Sequence, residues 1–260
     1  MNHGSLFTGL GGFDLAAQWM GWNNVFQCEI DSFCQKVLKY HFPNTKLHHD
    51  IKETDFSQYK GAIDVVSGGL PCQPFSVAGK RKGSSDDRYL WDEMLRAICQ
   101  IFPRYIVVEN VRGLVSGQQG MVFERMLTDL ETIGYQTQSF IIPAASVGSV
   151  HKRERIWIVA HADSDRSRGL RNKNKKTRTP KGDELLAKQC AIPNWDNFPT
   201  QSPVCCGDDG ISDRLDGITF PKWRNESIKG YGNAVVPQIP YRIFSAINDY
   251  ENSQNNNHKN

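Results

Sequence analysis

A cysteine and a glutamate follow two apolar segments that the sequence predicts to be strands. Cys72 comes after residues 63–67 within Gly-Gly-Leu-Pro-Cys-Gln, and Glu109 comes after residues 105–108. A thiol nucleophile and a carboxylic acid form the pair needed to attack an electron-poor ring and to protonate it. The alternatives are a buried structural cysteine and a carboxylate that caps a helix or pairs with an arginine.

Two arginines are candidates to work beside this pair. Arg153 and Arg155 are two residues apart at the start of a predicted strand, where alternate side chains share a face. Their guanidinium groups can hold a carbonyl oxygen, a phosphate or the Glu109 carboxylate. For an isolated Arg-x-Arg, a structural ion pair is the preferred interpretation.

A glycine-rich turn, Phe-Thr-Gly-Leu-Gly-Gly at residues 7–12, lies between the first predicted strand and a helix. Glycines let the backbone turn sharply and approach a ligand closely. Glu29 ends the second strand, where a carboxylate can accept both hydroxyls of a ribose, and Asp50 and Ile51 can bind an adenine. The glycine spacing departs from GxGxxG, and no Lys-Ser/Thr follows. S-adenosylmethionine, a nucleoside without a pyrophosphate, therefore fits better than NAD or ATP.

Alternating short apolar runs and helix-like stretches must position these residues. The predicted strands are 5–7, 24–28, 62–67, 104–109, 136–142 and 156–160. The predicted helices are 13–20, 32–41, 90–102 and 122–133, with a further helix-like stretch from about 237 to 250. This alternation predicts a parallel sheet that is covered on both faces.

Composition narrows the class of protein. The odd number of scattered cysteines, seven, is typical of reduced cytosolic thiols and argues against a disulfide framework. No apolar run reaches the roughly 18 residues of a membrane span, and we expect no signal peptide. Eight Lys and Arg residues lie between positions 166 and 181. A run of this kind is usually a solvated loop, and its alternative role is binding to a polyanion.

The ordered motifs resemble those of the bacterial and phage-type DNA (cytosine-5)-methyltransferases. They are the glycine-rich turn with Glu29 and Asp50, Pro71-Cys72-Gln73, Glu109-Asn110-Val111, Arg153-Glu154-Arg155 and Gly232-Asn233-Ala234-Val235. The resemblance covers residues 4–160 and 226–248. It departs at Gly4-Ser5, where the family usually has an Asp in the first strand, and at Val150-His151, where the family usually has Pro-Gln.

This resemblance implies an α/β fold, a Rossmann-like S-adenosylmethionine-dependent methyltransferase domain with a small inserted target-recognition region. We expect the catalytic and cofactor-binding domain at 1–160 and 229–250, the target-recognition region at 161–228 and a disordered tail at 251–260. The implied partner is double-stranded DNA. We further expect a cytoplasmic monomer of a bacterial or phage-infected cell, a cognate restriction endonuclease in the same system, and neither a metal ion nor a membrane.

The resemblance also assigns site residues. The implied catalytic residues are Cys72, Glu109, Asn110, Arg153 and Arg155. The implied cofactor-binding residues are Phe7, Thr8, Gly9, Leu10, Gly11, Gly12, Glu29, Ile30, Asp50, Ile51, Pro71, Asn233, Ala234 and Val235. The DNA-binding candidates are Gln73, Ser76, Lys80, Arg81 and Lys82; the last three lie between glycines in a stretch that is either a mobile lid over DNA phosphates or a plain surface loop.

The implied reaction is methylation of a flipped cytosine at carbon 5 through a covalent Cys72 adduct. Two alternatives remain open. One is an RNA (tRNA) cytosine-5 methyltransferase on the same scaffold, although the extra Cys-Phe-Thr element typical of those enzymes is missing from this sequence. The other is a catalytically silent nucleic-acid-binding protein on the same fold, which the intact Cys72, Glu109 and Arg155 argue against.

Overall fold

One mixed sheet of seven strands forms the centre of the computed structural model, which describes residues 1–71, 85–116, 120–149, 152–162, 226–227, 229–230 and 232–257. The strand order is β3-β2-β1-β4-β5-β7-β6. The strands are β1 (Asn2–Leu6), β2 (Asn23–Cys28), β3 (Lys46–His48), β4 (Val65–Gly69), β5 (Tyr105–Val111), β6 (Tyr135–Pro143) and β7 (Glu154–Ala162). Cys72, Gln73, Ser76, residues 80–82, the basic run 166–181 and nearly all of region 161–228 lie outside the described residues.

The predicted parallel sheet is confirmed for β1 to β5 and wrong for the last two strands. Each hydrogen-bonded pair among β1–β5 is parallel, whereas β7 runs antiparallel to both β5 and β6. The connection between β6 and β7 is only ten residues long (144–153), and its described residues include a 3₁₀ turn at Ala144–Val147. A parallel pair needs a crossover of a dozen or more residues, so this short connection favours antiparallel pairing.

Helices cover the two faces of the sheet. They are α1 (Gly12–Trp19), α2 (Ser32–His41), α3 (Ser85–Ile101), α4 (Gly113–Ser116), α5 (Met121–Thr132) and α6 (Gln238–Asn257). On one face, Phe13 of α1 and Phe244 of α6 pack with Val65 and Val107. On the other face, Met94 of α3 packs in a second cluster with Val66 and Ile106. Successive residues of β4 and β5 thus point to opposite cores, as expected for strands buried on both sides.

The last helix continues beyond its predicted end. A disordered tail was expected from residue 251, but α6 runs to Asn257. Glu251 is buried, accepts a hydrogen bond of 2.7 Å from the Tyr105 hydroxyl and pairs with Arg104. These partners lie at the start of β5 and immediately before it, so tertiary contacts hold a segment whose composition alone predicts disorder. None of the described helices has the length and apolarity to cross a bilayer.

The strand order reverses between β1 and β4, at the centre of the sheet. From β1 the chain passes through α1 to β2 on one side, and from β4 it passes to α3 and β5 on the other. In open α/β sheets, such a switch point leaves a crevice outside the carboxyl ends of the strands. The loops that follow β1, β2, β4 and β5 therefore line the expected binding edge.

Candidate active site at the carboxyl edge of the sheet

Strand register brings the predicted cofactor and catalytic residues to one edge. Leu6 is opposite Cys28 on β2 and Gly68 on β4, and Gly69 is opposite Glu109 on β5. The turn after Leu6 therefore begins between the ends of β2 and β4, and Glu109 lies one strand further along. Beyond β4, Leu70 is buried and Pro71 is exposed. Pro71 is the last described residue before Cys72.

The turn at residues 7–12 is held in an unusual backbone conformation. Phe7, Gly9 and Gly11 all have positive φ angles, of 50°, 59° and 83°. Glycine adopts such angles without a steric penalty. The Thr8 hydroxyl accepts the amide of Cys28 at 3.1 Å, and the amide of Gly9 donates to Glu29 at 2.7 Å. These bonds tie the turn to the end of β2. The positive φ angles explain why glycines are required at positions 9 and 11.

Glu29 is fixed at the end of β2 by backbone amides. One carboxylate oxygen accepts the amide of Gly9 and the other accepts the amide of Asp31 at 2.8 Å. Each oxygen has a further lone pair for a hydrogen bond. These remaining lone pairs of a largely buried carboxylate can therefore accept ligand hydroxyls without rearrangement of Glu29, which fits the two hydroxyls of a ribose.

Two apolar residues of the predicted cofactor site differ in exposure. Ile30 is 70% exposed, whereas Ile51 is 5% exposed and belongs to the core. Ile30 is therefore the side chain with free apolar surface for a ring. Asp50 accepts the amide of Lys52 at 2.9 Å, and Arg96 of α3 donates to the carbonyl oxygens of Ile51 and Thr54. The loop after β3 is consequently held in place by a residue that sequence reasoning missed.

Asp14, a buried carboxylate that the sequence analysis did not identify, supports the glycine-rich turn. The Asp14 side chain of α1 is fully buried. It accepts hydrogen bonds from the hydroxyl of Ser5 (3.0 Å) and from the side-chain amide of Gln27 (3.0 Å). The Ser5 hydroxyl also lies 2.9 Å from that of Thr8. Burial raises the pKa of Asp14, against the opposing effect of His3. The Asp14 carboxylate thus contacts the Ser5 hydroxyl, in the Gly4-Ser5 part of the first strand where the resembled family usually has an Asp.

Only an indirect signal in the sequence could have found Asp14. It lies next to Phe13 and two residues before the apolar pair Ala16-Ala17, on the helix face that packs into the core. A charged side chain on such a face requires buried hydrogen-bond partners. The pattern indicates that partners exist, but it does not identify them.

Glu109 and Arg155 form the ion pair of the candidate catalytic edge. Arg155 Nε lies 3.0 Å from Glu109 Oε1, and Glu109 is 8% exposed. Burial raises the pKa of the Glu109 carboxyl, while the charges of Arg155 and Arg153 act in the opposite direction. The carboxyl therefore holds a proton more readily than an exposed glutamate, which suits a proton donor.

Asn110 presents a buried donor beside this pair. Its Oδ1 accepts the amide of Val111 at 2.7 Å, and its Nδ2 has no hydrogen-bond partner among the described residues. A buried polar group of this kind is usually hydrogen-bonded. Asn110 Nδ2 is thus a donor available to a ligand or to residues outside the described ranges.

Arg153 does not share the strand face expected from its spacing. It precedes β7, has a φ of 31° and donates to the carbonyl oxygens of Gly232 (2.9 Å) and Ala234 (2.8 Å). The alternation rule fails here because it applies only within an extended strand. In direct contacts, Arg155 pairs with Glu109, whereas Arg153 binds the described residues of the 229–235 segment (229–230 and 232–235), which carry the Gly-Asn-Ala-Val motif.

The 229–235 segment lies on the glycine-rich turn. A β-carbon on Gly12 would be 2.7 Å from the carbonyl oxygen of Val235, and one on Gly230 would be 3.4 Å from Leu10. Lys229 forms an ion pair of 3.0 Å with Asp31. The two most distant motifs of the sequence are thus in direct contact, and Asn233 is exposed at this contact.

The described cysteines contrast with a reactive thiol. Cys28 and Cys34 are buried, and burial with nearby carboxylates raises the pKa of each thiol to about 12. Neither is a nucleophile at neutral pH. Cys99, in contrast, is exposed on α3. Within the described ranges, no group of three His, Cys, Asp or Glu side chains is arranged to hold a metal ion.

The sheet order and the turn define the class of fold, a Rossmann-like α/β fold of the methyltransferase type. Among solved structures, that of Spodoptera frugiperda DNMT2 aligns with 63% of this chain and 50% of its own, at a TM-score of 0.52 and 25% identity. Residues 1–200 match the C-5 cytosine-specific DNA methylase family, and this chain belongs to that family. The resemblance inferred from the motifs is thereby confirmed.

Two curated relatives give the extent of the similarity. Type II methyltransferase M.Eco47II of Escherichia coli is 37% identical over 158 residues, which cover 60% of this chain and 38% of that protein. Type II methyltransferase M.HgiCII of Herpetosiphon aurantiacus is 32% identical over 265 aligned positions, covering 97% of this chain and 54% of that protein. This chain spans about half the length, or less, of these relatives.

Proposed function

We propose that this protein transfers a methyl group from S-adenosylmethionine to carbon 5 of a flipped cytosine in double-stranded DNA. The observation that carries the proposal is the state of Glu109, a buried carboxyl with a raised pKa at the sheet edge, paired with Arg155. Family membership supports cytosine methylation, and the buried acid supports protonation of a ring nitrogen.

The glycine-rich turn and the residues that follow β2 and β3 fit the adenosyl group of the methyl donor. Glu29 would accept the ribose hydroxyls, Ile30 would pack on the adenine, and Asp50 would accept its amino group. The backbone of residues 7–12, Pro71 and the motif at 233–235 would complete the site. When bound, S-adenosylmethionine supplies a methyl group on a positively charged sulfur, which makes that group electrophilic.

Protein residues would perform the remaining chemistry. The Cys72 thiolate adds to carbon 6 of the cytosine while Glu109 gives its proton to ring nitrogen 3, so carbon 5 becomes nucleophilic. Arg155 holds the cytosine carbonyl oxygen, and Asn110 orients Glu109 or the base edge. After carbon 5 has received the methyl group, a base such as water removes its proton and the electron pair expels the Cys72 thiolate. Ring nitrogen 3 then returns its proton to the Glu109 carboxylate.

DNA binding is assigned from the sequence and the relatives. The cytosine must leave the base stack because its ring face is otherwise covered. Gln73, Ser76 and residues 80–82 would contact the DNA near the nucleophile, and region 161–228 would recognise the target. Because the curated relatives are Type II methyltransferases of bacteria, we extend the proposal to a cytoplasmic monomer that acts with a cognate restriction endonuclease.

A covalent trap tests the reaction directly. The purified chain is incubated with S-adenosylmethionine and duplex DNA containing 5-fluorocytosine, whose fluorine cannot leave as a proton does, and adducts are resolved on a denaturing gel. We expect a protein–DNA adduct with the wild type and with Cys99→Ser, an exposed-thiol control, and none with Cys72→Ser. An adduct in the Cys72 variant would exclude Cys72 as the nucleophile.

The same assay separates the alternatives. Transfer of tritiated methyl groups is measured with duplex DNA and with tRNA, each with and without cytosines replaced by 5-methylcytosine. We expect transfer to unmodified duplex DNA alone. Preferential transfer to tRNA would support the RNA enzyme, and DNA binding without transfer or adduct would support the silent binding protein. Bisulfite sequencing of DNA from cells that express the chain would then give the recognition sequence.

A further inference from the structure

The backbone of the 229–235 segment is held by one side chain from the opposite half of the sheet. Arg153 donates through Nη1 to the Gly232 carbonyl and through Nη2 to the Ala234 carbonyl, at 2.9 and 2.8 Å. The planar fork of a guanidinium can serve two carbonyls at once, which the single point charge of a lysine does less well.

Arg153 itself is pinned in a strained conformation. Its φ of 31° lies in the left-handed region, which is unfavourable for a residue other than glycine. The amide of Ala144 donates to the carbonyls of Lys152 (2.9 Å) and Arg153 (3.2 Å), which anchors this bend to the end of β6. From this bend the guanidinium reaches the carbonyl oxygens of the segment.

The other side of the segment contacts the residues that would bind the methyl donor. Val235 closes against Gly12, where even a β-carbon would be 2.7 Å from the Val235 carbonyl oxygen. Gly230 packs on Leu10, and Lys229 pairs with Asp31, whose own amide donates to Glu29. A displacement of the segment would therefore reach both the turn and the ribose-binding carboxylate.

We propose that Arg153 is a positioning residue for the methyl donor, and that it acts through the backbone of the 229–235 segment. This inference rests on the proposed function, and it divides the Arg-x-Arg motif into two tasks. Arg155 serves the carboxyl that handles the base, whereas Arg153 fixes one wall of the cofactor site. We therefore expect substitution of Arg153 to weaken cofactor binding even in the absence of DNA.

Equilibrium binding distinguishes the two tasks. Isothermal titration of the full chain with S-adenosylhomocysteine, without DNA, is compared for wild type, Arg153→Ala, Arg153→Lys and Arg155→Lys. Loss of two hydrogen bonds predicts a dissociation constant about tenfold higher for Arg153→Ala, with Arg153→Lys in between. Arg155→Lys should stay within about twofold of wild type. An unchanged constant in both Arg153 variants would overturn the inference.

Two further measurements separate a local effect from misfolding. Amide hydrogen exchange of the ligand-free chain should rise in peptides covering 232–236 in Arg153→Ala and remain at the wild-type level in Arg112→Lys, a control in an exposed ion pair. A double-mutant cycle combines Gly12→Ala with Arg153→Ala. Their joint effect on the dissociation constant of S-adenosylhomocysteine should be smaller than the product of the two separate effects, because both substitutions displace the same segment. Independent effects, or unchanged exchange, would contradict the proposal.

The outcomes also keep this inference apart from the proposed function. If the folded wild type binds no S-adenosylhomocysteine and no S-adenosylmethionine, the methyl donor is wrong and the role of Arg153 falls with it. If the wild type binds but forms no adduct with 5-fluorocytosine DNA, the proposed reaction fails while the Arg153 measurements still decide its role in binding.

Discussion

The guanidinium Nε of Arg155 lies 3.0 Å from Glu109 Oε1, at a position where the glutamate is almost completely buried. Two opposing effects meet in this pair. Burial disfavours the charged carboxylate and raises its pKa, and the neighbouring guanidinium favours the charged form. The net effect is a carboxyl that keeps its proton to higher pH than an exposed glutamate and stays in a fixed orientation.

Glu109→Gln should lower the methylation rate and spare cofactor binding. An amide cannot supply the acidic proton, and general acid catalysis is worth about 10²–10⁴-fold. Glu154→Gln is the control and should stay near the wild-type rate, because this partly exposed glutamate at the start of β7 pairs with Arg112 and Lys152. Single-turnover methylation and S-adenosylhomocysteine titration measure the two quantities. Wild-type turnover in Glu109→Gln would remove this residue from the mechanism.

The pH dependence of the rate should reveal the raised pKa of Glu109. The reaction requires the protonated carboxyl, so the rate falls as pH rises through that pKa. Arg155→Ala removes a charge that lowers this pKa, and the alkaline limb should move to higher pH while the maximal rate falls. Arg155→Lys keeps the charge and should shift the limb less. A limb that moves to lower pH in Arg155→Ala would contradict the assignment.

Gly4→Ala should destabilise the fold. A β-carbon there would lie 2.2–2.8 Å from three atoms of the Phe26 ring, and overpacking of this kind costs about 1–3 kcal/mol. Urea unfolding measures the free energy. Gly232→Ala is the control, since a β-carbon at that position meets no atom of the described residues within 4 Å. Equal stability of the two variants would show that the Phe26 ring can move aside.

Glu251→Ala should lower the free energy of unfolding by about 2 kcal/mol. It removes the acceptor of the Tyr105 hydroxyl and leaves the largely buried Arg104 without its closest carboxylate. Asn252→Ala, which changes the exposed neighbouring residue, should stay within about 0.5 kcal/mol of wild type. If both variants unfold at the same denaturant concentration, the contact contributes no stability.

Local patterns predicted the first half of the fold because each signal lay within a few residues. The helix at Ser32–His41 matches its predicted bounds, and Asp31 caps it through the amides of Phe33 and Cys34. Strand β3 was missed because Lys46–His48 is a short segment that pairs only with β2 and has no apolar run. Its formation depends on pairing partners, which the sequence does not reveal.

Contacts between distant segments explain the other differences. The acceptors of Arg153 lie 79 and 81 residues later in the chain, and the hydroxyl that binds Glu251 lies 146 residues earlier. The motifs predicted that Glu29 and residues 7–12 belong together, and the bond from Gly9 to Glu29 agrees in geometry. The spacing of Arg153 and Arg155 predicted a shared face, but it could not reveal the positive φ that separates them.

The packing of Val235 against Gly12 sets an order of events during synthesis. Residues 7–12 leave the ribosome well before their neighbours at 229–235, which follow more than 200 residues later in the chain. A nascent chain must therefore carry its glycine-rich turn without this covering until residues 229–235 have been made. Premature termination before residue 229 would yield products that lack the covering altogether, whatever else in them has folded.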